Sequence, residues 1–514
     1  MNVNQATPKK DPRWLQTRKI AQRIVITGTL SLLTPARFGG GGKVDPLTDM
    51  PILRDPEVGK PLLPGASISG AMRAYLREWE TGYEQKTPAR VKHLYQELFG
   101  HVVESKGVQD NEKESLESYL IIEDARAEAL STEFRPGVKI NPKTRTAKVE
   151  EKGGQLFDME LLEAGTQFTI HIELALPEDE GTQTRLKQAL AVTLTGFERG
   201  EIGLGARKRR GFGECQVTGW QVETFDLKTP QGLIAWLEGS SDEKPTGKTV
   251  ADLLGVSLPP DIRRRFNLIA RFRLETSLLI RSGGRNPDDP DMTQLTSKRA
   301  GKEKPILSGT SLAGAIRGRA LRIANTLILD ETKAQKLVAG LFGPDEIKEK
   351  GKRKKGEEPW ASRAVVREST VKGRNDLVQT RIKIDRFTGG TYPGALFEQQ
   401  PVFGGPNNEV CIEIELRNPK PAHIGLLLHV LKDLWTGDLP LGGEASVGRG
   451  RLKGVEAMLE FHSPDPEEHG WWKITSAGVD EATQAEKLNI EGPRKRLEAY
   501  AQAVQKEAHH EPKN

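Results

Sequence analysis

Gly65-Ala66-Ser67-Ile68-Ser69-Gly70-Ala71-Met72-Arg73 and Gly309-Thr310-Ser311-Leu312-Ala313-Gly314-Ala315-Ile316-Arg317 say nearly the same thing twice, 244 residues apart. Solenoid repeats return every ~20–50 residues, so a spacing this long marks a whole domain copied once. The copying continues downstream of the motif. Leu98-Phe99-Gly100 returns as Leu341-Phe342-Gly343, and Val138-Lys139-Ile140-Asn141 as Ile382-Lys383-Ile384-Asp385. Ile170-His171-Ile172-Glu173-Leu174 returns as Ile412-Glu413-Ile414-Glu415-Leu416. Each copy closes with a glycine-rich hairpin, residues 203–213 and 442–450. Order and spacing hold from end to end, which excludes chance similarity of one loop.

A chain of 514 residues exceeds one hydrophobic core, and the duplication makes two domains the natural count. Charged residues make up 29% of it and the formal net charge is +5, which admits nucleic acid as one partner among several. Cys215 and Cys411 are the only cysteines, so there is neither a disulfide framework nor a paired-cysteine zinc site. No apolar run approaches ~18 residues, and residues 1–23 hold no signal-type segment. These features lead to the expectation of a soluble, cytoplasmic protein with no membrane partner.

Both copies carry the same order of periodicities. Alternating β-branched strands open them at 23–33 and 266–280, and a helix follows near Ser67 or Ser311, where a small hydroxyl suits an N-cap. Short strands at 120–124 and 364–367 precede long polar excursions. A strand, a second helix (183–197 or 422–434) and the glycine hairpin complete the unit. That order predicts an α+β chain of two tandem ferredoxin-like (RRM-like, β-α-β-β-α-β) domains with long inserted loops. The expected boundaries are an N-terminal extension 1–22, a first domain 23–226, a linker 227–264, a second domain 265–460 and a C-terminal appendix 461–514. The appendix holds Trp471 and Trp472 and a polar stretch, 480–505, expected to be helical. A charge run at 348–358 reads as a solvated loop. The aromatic signature with which RNA-recognition sheets stack bases is absent, so any RNA would be held by loops and backbone amides.

Three loops could carry chemistry. Gly65, Ser67, Ser69, Gly70 and Arg73, with Gly309, Ser311, Gly314 and Arg317 in the second copy, place glycines, hydroxyls and an arginine at a helix N-terminus. Free amides there attract phosphate, and arginine pairs with it bidentately. The plainer alternative is a capped helix with glycines for tight packing. The hairpin Gly205-Ala206-Arg207-Lys208-Arg209-Arg210-Gly211 is a sharper signal, with four successive cations between glycines suited to a phosphate strip. Its counterpart keeps Gly448, Arg449 and Arg451 but is far less basic, so the grip on RNA should be unequal. Finally, Asp49-Met50 and Asp291-Met292 precede the two motifs by 16 and 18 residues, the difference lying in Gly301-Lys302-Glu303-Lys304 against Gly59-Lys60. Aspartates in such loops are commonly turn formers. Gly247-Lys248-Thr249 lacks the upstream glycine of a phosphate-binding P-loop, the nine histidines show no metal-binding spacing, and no nucleophile elbow occurs.

Taken together, the Gly-x-Ser-apolar-x-Gly-x-apolar-Arg motif, the upstream aspartate before residues 51–56 and the terminal glycine hairpin resemble the RAMP superfamily of CRISPR–Cas systems. The specific likeness is to the type III effector-complex backbone subunit that cleaves target RNA, here in a type III-D-like tandem fusion. The resemblance covers roughly 23–222 and 266–460. It implies an antiviral role, with guide RNA, complementary target RNA and other subunits of the complex as partners. It also implies that Asp49 and Asp291 are cleavage residues acting with loosely held Mg²⁺ or Mn²⁺. The excursions 135–152 and 381–393 would be thumb-like hairpins that kink the guide–target duplex. Lys139, Arg145, Lys383, Arg386 and Phe387 would be RNA contacts there. The family motif often has lysine where this chain has Ser69 and Ala313, which shifts phosphate grip to other cations. In the second copy, Thr293-Gln294-Leu295 replaces Pro51-Ile52-Leu53 after the aspartate, which puts that site in question. Competing expectations are a non-catalytic guide-RNA scaffold, a guide-precursor processing endoribonuclease and a generic single-stranded RNA binder. The second normally needs histidine or lysine bases, and neither repeated loop contains a histidine.

Overall fold

Every second residue of the strand Gln22–Leu32 is buried from Ile24 onward, the pattern of a sheet covered on one face. It pairs antiparallel with Cys215–Asp226 on one side and Gln167–Leu176 on the other, and Leu120–Ile122 lies beyond the latter. Numbered by their place in the unit, the strands run 4-1-3-2. The second copy repeats this with Leu452–His462, Arg265–Leu274, Glu409–Arg417 and Ala364–Val366. Even the irregularity is copied: the central strand slips register between Thr27 and Thr29 in one copy and between Arg271 and Phe272 in the other. Both domains are therefore ferredoxin-like, as their element order predicts. The computed structural model describes residues 19–39, 50–83, 93–101, 116–129, 131–138, 149–150, 153–154, 156–239, 248–283, 288–344, 361–374, 376–405, 407–479 and 486–507. Asp49, Lys139, Arg145 and the charge run 348–358 lie outside them.

Two helices cover one face of each sheet. In Gly65–Thr81 the buried residues Ile68, Met72, Tyr75, Leu76 and Trp79 recur at three- and four-residue steps, a single apolar stripe. Glu180–Glu198 packs beside it in the same core. Gly309–Ile328 and Pro421–Trp435 are the counterparts. The connector adds a helix, Pro230–Glu238, whose Trp236 meets Phe225 edge-on at 5.4 Å, while Val250 and Leu254 join the first core.

Among its described residues, the C-terminal appendix holds two strands and one helix. Gly470–Val479 and Glu486–Glu491 extend the second sheet beyond Leu452–His462, and helix is confined to Arg494–Lys506. Alternation of buried Trp472 and Ile474 marks the first of these strands, and Trp472 donates from Nε1 to the Pro493 carbonyl at 3.2 Å. Leu497, Tyr500 and Val504 complete the second core. The terminal helix crosses Pro421–Trp435 so closely that a Cβ on Gly425 would collide with the Tyr500 carbonyl. Gly425→Ala is expected to lower stability by ~1–3 kcal/mol through this overpacking, measured by thermal or denaturant unfolding.

The copies meet head to tail. The hairpin of the first enters the second: the Arg209 guanidinium donates to the Ser362 carbonyl, and Arg210 donates to Ala364 O at 3.3 Å and Phe342 O at 3.4 Å. Burial, with Arg317 and Arg209 nearby, pushes the Arg210 pKa down to about 10, so it is still a cation at neutral pH. Beside it, buried Arg135 pairs with Glu133 (2.7 Å) and with Glu368 of the second copy (3.0 Å from Nη2), and Arg299 also reaches Glu368. Glu133 accepts from the Ser297 hydroxyl at 3.0 Å. A third group joins Glu201, Tyr75, Arg263 and Arg265; burial opposes its charge, but the two arginines hold Glu201 down at about 2. Arg417 of the second copy reaches Glu78 at 3.4 Å.

Candidate nucleic-acid interface

The helix-capping loop and the glycine hairpin of the first copy, 138 residues apart in the chain between Ser67 and Gly205, face one another across an open cleft of about 550 Å³. Pro64, Ala66, Ser67 and Gly70 form one wall, Leu204, Gly205, Ala206 and Lys208 the other, and Arg37, Phe38 and Gly39 the floor. Hairpin geometry follows from its glycines: Leu204 N–H donates to Gly213 O at 2.8 Å, and a 3-10 turn Lys208–Arg210 sits between left-handed Arg207 and Gly211. Gly211, at φ 80°, needs this conformation and also abuts the Glu368 backbone. Burial pushes the Lys208 ammonium below its ordinary pKa, a cost that an incoming phosphate would offset.

The four cations therefore do not form one strip. Lys208 lines the cleft, Arg207 stacks over Phe157 at 4.9 Å, and Arg209, Arg210 and Gly211 serve the joint between the copies. Gly309 belongs to that joint too, packed against Arg210 O. The caps also differ from expectation. Ser67 lies inside the first turn, because the helix begins at Gly65, whose N–H donates to Asp124 Oδ1 at 2.7 Å. In the second copy Ser308, not Ser311, is the cap, accepting from Ser311 N–H. Ser67, Gly70 and Arg73, and Ser311 and Gly314, are exposed, and Ser69 is half-buried. Arg317 donates to Gly343 O at 3.0 Å.

The second hairpin has the same backbone with inverted charge. Glu444 stands left-handed where the first copy has Arg207, and Ala445–Val447 replaces the three cations. Arg449, 4% exposed, is taken up by Glu444 (2.9 Å), Ser277 (2.7 Å) and Gln379 (2.6 Å), so it braces the hairpin and does not face solvent. Arg451 is exposed. Leu279 stands at the position of Arg37, its carbonyl accepting from Gly443 N–H as Arg37 O accepts from Ala206 N–H, and Arg281 two residues on lies 3.5 Å from Glu444.

The aspartate loops reach equivalent places. Met50 bridges in parallel to Met159, and Met292 in parallel to Gln399, each on the second strand of an inserted hairpin. Arg37 Nε donates to Met50 O at 3.2 Å, which joins the residue after Asp49 to the cleft floor. Asp291 is exposed, and its Oδ2 accepts from Glu398 N–H at 2.9 Å. The hairpin Gln379–Ile384 with Thr391–Gln400 projects Phe387, 99% exposed, at its tip, with Arg386 exposed beside it and Lys383 4.5 Å over the Tyr392 ring. Ile382, Ile384 and Leu396 are exposed along it, so this excursion is apolar as well as basic.

Comparison with known proteins gives the same division of the chain. The model of the RAMP superfamily matches residues 29–216 and again 271–453. The chain belongs to the RAMP superfamily. A stretch of 56 residues is 41% identical to the CRISPR system Cms endoribonuclease Csm3 of Enterococcus italicus, covering 10% of this chain and 26% of that protein. The chain thus matches about a quarter of this curated relative's length. Within this RAMP pair, the floor residue Arg37 escapes a reading built on the repeated motifs, because it lies in a loop without local periodicity and its counterpart is the apolar Leu279. No helix among the described residues is long and apolar enough to cross a membrane.

Proposed function

We propose that this tandem RAMP protein is a backbone subunit of a type III CRISPR RNA-guided complex, holding guide RNA in its clefts and cleaving paired target RNA beside Asp49 and Asp291. The observation that carries the reading is the cleft itself, where helix-terminal glycines, Lys208 and Arg37 converge and Arg37 holds the Met50 carbonyl. Arginine and lysine on its floor and wall suit a phosphodiester backbone, and glycine walls allow its close approach. The exposed Phe387 suits stacking against a splayed base.

Asp291 offers Oδ1, since Oδ2 is engaged by Glu398 N–H. Among the described residues, the group of His and acidic side chains close enough to hold a metal is Glu123, His171 and Glu173, on the sheet face away from the helices. A lone carboxylate fits Mg²⁺ or Mn²⁺ only where RNA phosphates and water complete the shell. Bound so, the ion would neutralise charge developing on the scissile phosphate. The chain's own part is orientation: the cleft fixes the backbone and the hairpin tip displaces a base. The neighbouring 2′-hydroxyl then lines up with phosphorus, and the carboxylate is placed to assist removal of its proton.

Assembled complex, incubated with end-labelled complementary RNA and divalent cation, tests the reading. Asp49→Ala should suppress one product by ~10²-fold or more and Asp291→Ala another, with guide RNA retained in both. Undiminished products from both variants would remove Asp49 and Asp291 from the reaction, and no product from the unaltered complex would leave a scaffold without nuclease activity.

A further inference from the structure

The joint between the copies has a second edition on the first copy, one that no hairpin among the described residues fills. In the second copy the first hairpin is received by a frame of Gly309, Phe342, Ser362 and Ala364. Ser362 completes that frame by donating from Oγ to Leu341 O and Ala364 O. The first copy has the same frame: Ser118 Oγ donates to Leu98 O at 3.2 Å and Leu120 O at 3.0 Å, and Gly65 abuts Ile122 O as Gly309 abuts Val366 O. What differs is the cover. Val365, on the strand that meets the hairpin, is 7% exposed; its counterpart Ile121 is 51% exposed. Arg367 is engaged by Glu214 of the hairpin at 2.9 Å, whereas its counterpart Glu123 is exposed, near His171 and Glu173.

We propose that this sheet face of the first copy docks an arginine-bearing, glycine-flanked hairpin of a different protein, built like residues 203–213, and not a second copy of this chain. Two observations select the occupant. In the joint already formed, two arginine forks satisfy carbonyls at a helix C-terminus and a strand edge, a pattern of strong, directional donors. This chain's other hairpin, Ala445–Val447 after Glu444, carries no such donor and would bring a carboxylate towards an acidic face. Arg451 could meet Glu123, at the position where Glu214 meets Arg367, but one exposed ion pair adds little. The exposed Glu123–His171–Glu173 group is then one side of a charge-complementary interface.

This deepens the assembly reading above and rests on it for the partner's existence; its readout is protein–protein association without RNA, so the two can fail separately. Two probes serve. One is a labelled, cyclised peptide of residues 204–213 titrated onto the full-length chain. The other is the full-length chain carrying Ser446→Arg and Val447→Arg, followed by sedimentation. The peptide should bind the native chain, and Ile121→Arg with Glu123→Arg, both exposed positions, should weaken binding ~10-fold or more. Alanine at the peptide's Arg209 and Arg210 should do the same. The hairpin variant should form head-to-tail oligomers dissolved by the same two changes, while the native chain stays monomeric. If the variant does not fold, the peptide decides. Native chains that oligomerise through Ile121 and Glu123 would overturn the proposal in favour of a second copy. Absence of association by both probes would overturn it outright.

Discussion

Arg135→Ala should lower the stability of the joined copies by ~3–5 kcal/mol, because it strands two buried carboxylates. Arg135 and Glu368 are 2% and 8% exposed, and Glu133 is 7%. Burial works against the arginine's charge, but Glu368 and Glu133 more than offset it and raise its pKa. Removing the cation leaves Glu133 with the Ser297 hydroxyl and Glu368 with Arg299 alone, short of the charge they were buried against. A loss of that size shifts a melting midpoint by of order 10 °C in a domain of this size. Calorimetry should also resolve the single joined transition into two, since the ion cluster broken by this change belongs to neither core. Arg374→Ala is the control. Its partner Asp376 and its own side chain are mostly exposed, so it should cost less than ~1 kcal/mol. Equal effects from the two substitutions would show that the joint is not held by its buried ions.

The same residues explain what the sequence discloses and what it hides. Element order, strand order and the two-copy plan are legible because Gly65–Arg73 and Gly309–Arg317 align whole domains, and alternation is strong in strands such as Gln22–Leu32 and Glu409–Arg417. Convergence of Ser67, Gly70, Gly205 and Lys208 is legible too, since both motifs end elements on the same side of the sheet. Arg209 and Arg210 are not. A run of four cations carries no mark of which ones meet carbonyls some 150 residues later. Nor does Ser67 betray that Asp124 has taken the helix-capping role. Arg449 resembles Arg451 in sequence, yet Glu444 and two glutamines bury the first and leave the second exposed. The stretch 480–505 reads as helix from sequence, which holds for Arg494–Lys506, while its polar composition hides the strand Glu486–Glu491.

Neutralising Arg37 or Lys208 should weaken guide RNA binding about 10- to 100-fold each, the value of one charge-assisted hydrogen bond converted to affinity. Both line the first cleft, and no carboxylate is among the described residues that line it with them. Arg37→Gln with Lys208→Gln should therefore also flatten the dependence of log affinity on log salt by ~1.4, two single-strand phosphate contacts at ~0.7 each. Fluorescence anisotropy of labelled guide RNA across salt concentrations gives both quantities. The second cleft makes the sharper comparison. Leu279 takes the backbone place of Arg37 there, and Arg281, two residues on, lies 3.5 Å from Glu444, which also holds Arg449 and Arg381 at 2.9 and 3.1 Å. Glu444 offsets part of the field of these arginines and Arg281 is not at the floor position, so Arg281→Gln should change affinity by less than ~3-fold and the slope by less than ~0.7. Glu444→Gln should do the opposite, releasing Arg281 and tightening the second cleft's hold. Matching losses from Arg37→Gln and Arg281→Gln would mean that both halves grip alike, and that hairpin charge does not set the register in which this chain holds RNA.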